Sequence, residues 1–265
     1  MKRKILATLL RILNTSFLFD LKLMRKLYYL VLRSKSRVTK LERNLLLVSD
    51  GTHKIFASRK NRLNLFYNGI EKRLVDLQKQ YLTIELNSLN IDEYVIDIGA
   101  NIGEFSFFWE NKGHKVIAFE PDPIEYKCLN KNIKGITNNL ALWNKNGNMN
   151  FYLNNKTGDS SLIKSENYKN KIEIKVDTLD SYMSKIEGSV GLIKLEAEGG
   201  EPEILIGAFE TLKRTRFISV DVGLERGMKK ESTLMEVCNL LFKNEFEIID
   251  FNPNRYTLLF KKNHG

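Results

Sequence analysis

Cysteine is nearly missing from this chain. The two present, Cys128 and Cys238, stand far apart and form neither a metal-binding nor a redox motif. Each reads as a small buried hydrophobe, and sparse cysteine fits a cytoplasmic compartment. Histidine is scarce too: His53, His114 and His264 are scattered, so no histidine-built metal site is expected. No apolar run reaches the ~18 residues of a membrane span. A secretory leader is not expected either: the candidate apolar core at residues 5–10 is interrupted by Arg11, and no convincing cleavage site follows. Only four prolines occur, so they act as punctuation rather than composition.

What is present is 265 residues with 43% hydrophobic content, enough for one α/β domain with an extension. The formal net charge of +10 is unevenly placed. Twelve of the 42 Lys and Arg residues fall within residues 1–43, against two of the 32 acids, Asp20 and Glu42. That segment holds the whole excess, and the remaining chain is formally neutral. A neutral body disfavours nucleic acid as a partner.

Residues 1–33 read as one or two basic amphipathic helices. Ile5, Leu9, Ile12, Leu13, Leu23, Leu27 and Leu30 share one sector, with Lys4, Arg11, Lys22, Arg25 and Lys26 opposite. Such helices suit an anionic membrane surface, which would make the protein peripheral at the inner membrane face. They equally suit packing on their own domain or on a second subunit of a homo-oligomer, because periodicity cannot tell lipid from protein. The expected organisation is a basic amphipathic helical extension over 1–43, a helical and hairpin lead-in over 44–93, and a catalytic domain over 94–265. Residues 45–56 suggest a hairpin turned at Ser49-Asp50-Gly51, and 55–82 a mostly helical stretch.

The stretch that organises the rest is 94–103, Tyr-Val-Ile-Asp-Ile-Gly-Ala-Asn-Ile-Gly. Its β-branched start suits a buried strand. Two glycines then surround Ala100-Asn101-Ile102, and a helix follows from Glu104 to Trp109. A strand, a glycine turn and a helix N-terminus make a nucleotide-like site at the carboxyl end of a first strand. A dinucleotide fingerprint would need glycine where Asn101 stands. The pattern present, Asp97-x-Gly99-x-x-x-Gly103, is similar to the first motif of class I S-adenosylmethionine-dependent methyltransferases. Asp97 could face the cationic tail of that cofactor.

A second strand, 115–120, ends in Glu120, about twenty residues beyond Gly99. An ionised carboxylate there has two oxygens for two ribose hydroxyls. Helix 124–133, a third strand over 135–142, and strands at 148–153 and 171–176 follow. The polar loop 154–170 lies between the last two. Strand 190–196 runs into Glu196, Glu198 and Glu201, with Lys194 on the same strand. Alternation puts Glu196 and Glu198 on one face, where paired acids suit a cationic ligand or proton transfer. Strand 216–222 ends at Asp221. Helix 232–243 precedes a closing antiparallel pair, 246–251 and 255–261, turned by Asn252-Pro253-Asn254.

Together these residues resemble the FkbM family of methyltransferases. The carriers are Val-Ile-Asp-Ile-Gly-Ala-Asn-Ile-Gly-Glu-Phe-Ser (95–106), Ala-Phe-Glu-Pro-Asp (118–122), Thr-Leu-Asp (178–180) and Ile-Lys-Leu-Glu-Ala-Glu-Gly-Gly-Glu (193–201). Glu196 stands where the family usually has aspartate. The resemblance implies a Rossmann-like class I methyltransferase sheet, mostly parallel with a reversed last strand. It implies S-adenosylmethionine as cofactor and a hydroxyl-bearing acceptor on a sugar, glycolipid or polysaccharide. Asp97, Gly99, Ala100, Asn101 and Gly103 would shape the methionine end, Glu120 would take the ribose, and Glu196 would lie near the sulfonium or amino end. Glu198, Glu201 and Asp221 are the candidates for a general base, Glu198 first. Two alternatives stand beside this: a nicotinamide-linked oxidoreductase on a related fold, and a membrane-associated scaffold that binds a nucleoside without turnover.

Overall fold

A computed structural model describes residues 34–263 except Asn87, 155–159, 165–167 and Lys169. The expected amphipathic helices at 1–33 lie outside the described residues. The chain divides into two units between Leu74 and Val75, and helix α1 (Ile70–Gln80) spans that division.

The first unit holds an antiparallel meander of Arg37–Glu42, Leu45–Ser49 and Lys54–Ala57. The hairpin expected over 45–56 is its second half, while 37–42 is a strand within the segment read as helical extension. Asp50 sets the turn: its Oδ1 accepts the backbone N–H of His53 at 2.8 Å, and its Oδ2 accepts that of Ile70 at 2.7 Å. The stretch after the hairpin divides into a 3-10 helix, Lys60–Phe66, and α1.

The second unit is built on seven strands: β1 (Tyr94–Ile98), β2 (Lys115–Phe119), β3 (Ile136–Asn138), β4 (Val190–Leu195), β5 (Thr215–Asp221), β6 (Phe246–Asn252) and β7 (Thr257–Lys262). Their spatial order is β6-β7-β5-β4-β1-β2-β3. Strands β3, β2, β1, β4 and β5 pair in parallel, and β7 runs antiparallel to both β5 and β6. This is the mostly parallel sheet with a reversed last strand that the resemblance implies. Among the described residues, six further helices belong to this unit: α2 (Glu104–Asn111), α3 (Pro123–Asn132), α4 (Leu179–Met183), α5 (Glu201–Ile206), α6 (Phe209–Lys213) and α7 (Leu234–Lys243).

Strand β4 is buried at every residue, as expected of a central parallel strand covered on both faces. Alternation sends its side chains to two cores. Ile193 and Leu195 join Ile96, Ile98, Leu205 and Leu241 on one side. Leu192 joins Val95, Phe105, Trp109 and Tyr81 on the other. The second face has a polar end. Lys194 pairs in register with Asp97 on β1 and with Ser219 on β5, so three polar side chains line up across adjacent strands.

Two expectations change in detail. The strand expected over 135–142 is two pieces, because the sheet strand ends at Asn138. Ala141–Leu142 instead joins Gly147–Leu153 and Asn170–Asp177 in a separate three-stranded sheet. Strand β4 ends at Leu195, and Glu198 adopts a left-handed conformation (φ +51°), so strand alternation does not extend from Glu196 to Glu198.

Candidate active site

The turn after β1 is tied down before any ligand is considered. The N–H groups of Gly99 and Ala100 both donate to the carbonyl of Phe119 at 3.0 Å. Gly99 has φ +71°, and a Cβ added there would stand 1.9 Å from the carbonyl oxygen of Glu196. The ends of β1 and β4 therefore touch backbone to backbone, which only glycine permits. Asn101 is also left-handed, at φ +53°, a conformation asparagine tolerates better than most residues. Gly103 caps α2 at φ +87°.

Asp97 has no exposed surface. Its Oδ2 accepts from Ser106 Oγ at 2.7 Å, and Lys194 Nζ stands 3.3 Å from its Oδ1. The same ammonium donates to the carbonyls of Ile98 at 3.2 Å and Gly99 at 2.7 Å, and lies 3.4 Å from Glu196 Oε2. Burial opposes the charge on Lys194, but Asp97 and Glu196 outweigh it and hold its pKa above the ordinary lysine value.

Glu120 is placed at the tip of β2, beside the turn. Its Oε2 accepts the backbone N–H of Asn101 at 2.7 Å, and its Oε1 that of Asp122 at 2.7 Å. Burial pushes its pKa up to about 8 against the pull of those two N–H groups. Each oxygen keeps a further lone pair for a hydroxyl donor.

Glu196 is held by the Tyr81 hydroxyl, the Arg255 guanidinium and the Lys194 ammonium. Arg255 extends the chain of charges to β5, where its Nε lies 3.2 Å from Asp221 Oδ2. Asp221 Oδ1 accepts the N–H of Gly223 at 2.9 Å. Burial first, then the charge of Glu196, raises Asp221 to about 7. Glu225, two residues past Gly223, is raised to about 8 by burial, then by Asp221 and Glu196. Arg255 is driven upward, chiefly by Glu196.

The other two sequence-predicted acids sit differently. Glu201 is buried at the start of α5 and folds back on the loop before it. Its Oε1 accepts the N–H groups of Ala197 at 2.8 Å and Gly199 at 3.2 Å, and its Oε2 accepts from Thr233 Oγ1 at 3.1 Å. Glu198 is half-buried, and its carbonyl accepts from Ser161 Oγ at 3.0 Å. That bond ties Ser161 to the segment after β4, while Ser160 Oγ reaches Asp122 Oδ2 at 3.3 Å. The structure thus joins Asp97, Gly99, Glu196 and Asp221 through Lys194 and Arg255, sets Glu120 and Asn101 beside them, and gives Glu201 to the loop. Sequence reasoning passed over Tyr81, Ser106 and Arg255. The helical spacing of Ser106 from Gly103 held a signal. An arginine in a hairpin turn held none.

The donor set suits a sulfonium nucleoside. Glu120 retains acceptor capacity, and the carboxylates Asp97, Glu196, Asp221 and Glu225 outnumber the cations Lys194 and Arg255. A family model described as the methyltransferase FkbM domain matches residues 97–248. The chain belongs to the FkbM methyltransferase family. It is 25% identical over 218 residues to the 2-O-methyltransferase NoeI of Sinorhizobium fredii, covering 74% of this chain and 88% of that one. Among solved structures, magnesium protoporphyrin IX methyltransferase of Synechocystis PCC 6803 with bound S-adenosylmethionine aligns with 75% of this chain and 88% of its own, at 11% identity and a TM-score of 0.44. The tRNA m1G37 methyltransferase of M. jannaschii aligns with 91% of this chain and 67% of its own, at 14% identity and a TM-score of 0.41. As an FkbM methyltransferase the protein uses S-adenosylmethionine, and the nicotinamide alternative falls away. Among the described residues no helix is long and apolar enough to cross a membrane.

Proposed function

We propose that this FkbM methyltransferase methylates a hydroxyl oxygen of a carbohydrate acceptor: a sugar, a glycolipid or a polysaccharide. The observation that carries the reading is the row of carboxylates Glu196, Asp221 and Glu225 at the ends of β4 and β5, beside the Gly99 turn. The likeness to a 2-O-methyltransferase supports oxygen as the target. A basic segment over 1–43 suits a lipid-linked acceptor at an anionic membrane surface.

When bound, S-adenosylmethionine supplies an electrophilic methyl group on a sulfonium. Gly99, Ala100, Asn101 and Gly103 shape the methionine end. Asp97 acts from beneath, fixing the Lys194 ammonium that grips the turn's carbonyls. Glu120 would accept from the ribose hydroxyls, and Glu196 would face the sulfonium. A carboxylate at the ends of β4 and β5 would take the proton that the acceptor hydroxyl gives up on methylation. Asp221 is the best placed of the expected bases, because its pKa near 7 matches the working pH. Glu201 is committed to three donors, the Ala197 and Gly199 N–H groups and the Thr233 hydroxyl, and so serves the loop before α5, while Glu198 remains a further candidate. Orienting the oxygen in line with the methyl group supplies much of the acceleration.

Incubating the protein with methyl-labelled cofactor and, separately, activated sugars, glycolipids and polysaccharide should place label in an alkali-stable ether on one of them. Label appearing only on RNA or protein would sink the carbohydrate reading. Above about pH 8, where the Glu120 carboxyl is ionised, Glu120→Ala should weaken calorimetric binding of S-adenosylmethionine by roughly 10- to 100-fold, the worth of hydrogen bonds to a charged group. Glu120→Gln, which keeps one acceptor oxygen, should lose less. Unchanged affinity in both would remove Glu120 from the ribose.

A further inference from the structure

Among the described residues, the acidic row contains more negative charge than its own cations answer. From the end of β4 come Glu196 and Lys194, from β5 and the segment after it Asp221 and Glu225, from the β6–β7 turn Arg255, from the segment after α1 Tyr81, and from α5 Glu201. Lys194 is already committed to Asp97 at 3.3 Å as well as to Glu196 at 3.4 Å. Arg255 is the cation shared by Glu196 and Asp221. Arg226, adjacent to Glu225 in sequence, is taken by Glu203, with two hydrogen bonds of 2.9 and 2.6 Å.

Gly223 brings the last two acids together. A Cβ built on it would stand 3.1 Å from Asp221 Oδ1 and 3.8 Å from Glu225 Oε1. The missing side chain lets both carboxyls approach one point. Among the described residues Asp221 meets the Gly223 N–H through Oδ1 and Arg255 through Oδ2. The charges bearing on Glu225 are Asp221, Glu196 and Glu201, which resist its ionisation, and Arg255, which favours it.

We propose that the Asp221–Glu225 pair holds a proton in the free enzyme, releases it when the sulfonium cation of S-adenosylmethionine enters beside Glu196, and so becomes a proton acceptor only while a methyl donor is bound. The inference rests on the methyl-transfer reading and adds Glu225 to the residues that serve it. The cofactor's charge is the missing cation of the row. After transfer the sulfur is neutral, its pair restored from the broken carbon–sulfur bond. The proton leaving the acceptor hydroxyl then stays on the carboxyl pair, and the row regains its starting charge. The product S-adenosylhomocysteine has the same amino-acid tail and nucleoside but not the sulfonium, so it should not expel the proton. Crowding of this kind is consistent with the two raised acids described above.

The test is calorimetric titration of the full chain at pH 7.5 in buffers of low and high ionisation enthalpy, which counts protons exchanged on binding. S-adenosylmethionine should release roughly half a proton or more per site, and S-adenosylhomocysteine clearly less. Affinity for S-adenosylmethionine should rise with pH between about 6.5 and 8.5 more steeply than that for S-adenosylhomocysteine, because the ionisation of Glu120 at the ribose is common to both ligands. Glu225→Gln should reduce the difference in proton count between the two ligands. Equal proton counts for the two ligands on the unaltered protein would overturn the proposal, whatever the variant does. Failure of both ligands to bind would instead overturn the methyl-transfer reading itself.

Discussion

Replacing Lys194 with methionine should destabilise the protein by about 3–5 kcal/mol, the scale for removing one partner of a buried ion pair. The stem of methionine fills most of the lysine's space, so the loss is electrostatic rather than a cavity. Lys194 is 3% exposed and Asp97 not at all, so solvent does not screen the pair. Without the ammonium, Asp97 keeps only the Ser106 hydroxyl, and the carbonyls of Ile98 and Gly99 lose the donor they share. Urea denaturation should show a clearly lowered midpoint. The double variant Lys194→Met with Asp97→Asn removes both charges and should recover part of the loss, because a neutral amide is less costly to bury than a stranded carboxylate. A single variant as stable as the parent would mean that the ammonium does not sit between these strands.

Lys194 also explains why acids at this site can be read from sequence while their grouping cannot. The register of β1 against β4, which sets Asp97 opposite Lys194, follows from two apolar strands of similar length beside a glycine turn. The mostly parallel sheet with its reversed last strand is what the family resemblance implies, and the βα alternation and the closing hairpin agree with it. Arg255 and Tyr81 carry no such pattern. One stands in a turn whose Asn252-Pro253-Asn254 explains itself as turn chemistry, the other beyond the end of α1. They meet at Glu196 only because β7 lies beside β5 and because Ser219 Oγ, at 2.5 Å from the carbonyl of Tyr81, fixes the segment after α1 against the sheet. Contacts of that separation arise from topology, not periodicity. The pairing of Glu196 with Glu198 fails for a local reason. Alternation holds only while the backbone is extended, and Glu198 is left-handed. The acid that replaces it beside Asp221 is Glu225, which lies past a glycine whose bare backbone gives no sign in sequence of what surrounds it.

Gly99→Ala should be at least as damaging as the loss of Lys194, and for a reason that is purely steric. The new Cβ would meet the Glu196 carbonyl oxygen at 1.9 Å and its carbonyl carbon at 3.1 Å, both backbone atoms that no side-chain rotation can clear. The left-handed φ of +71° adds the usual penalty of an L-residue there, about 1–2 kcal/mol. Relief requires the ends of β1 and β4 to separate. That breaks the bond from the Glu196 N–H to the Ile98 carbonyl, 3.2 Å long, and pulls the turn away from Lys194. Together these give an expected loss of about 3–5 kcal/mol, with binding of S-adenosylmethionine abolished even in the fraction that folds. Gly147→Ala is the matched control: its φ of +140° is also positive, but nothing lies within 4 Å of its added Cβ. It should cost only backbone strain and leave cofactor binding intact. Urea midpoints and calorimetry on the two variants separate the two terms. If both behave alike, the contact between the Gly99 turn and the Glu196 carbonyl is not what closes the carboxyl end of these strands, and the charged row beside it loses its fixed place.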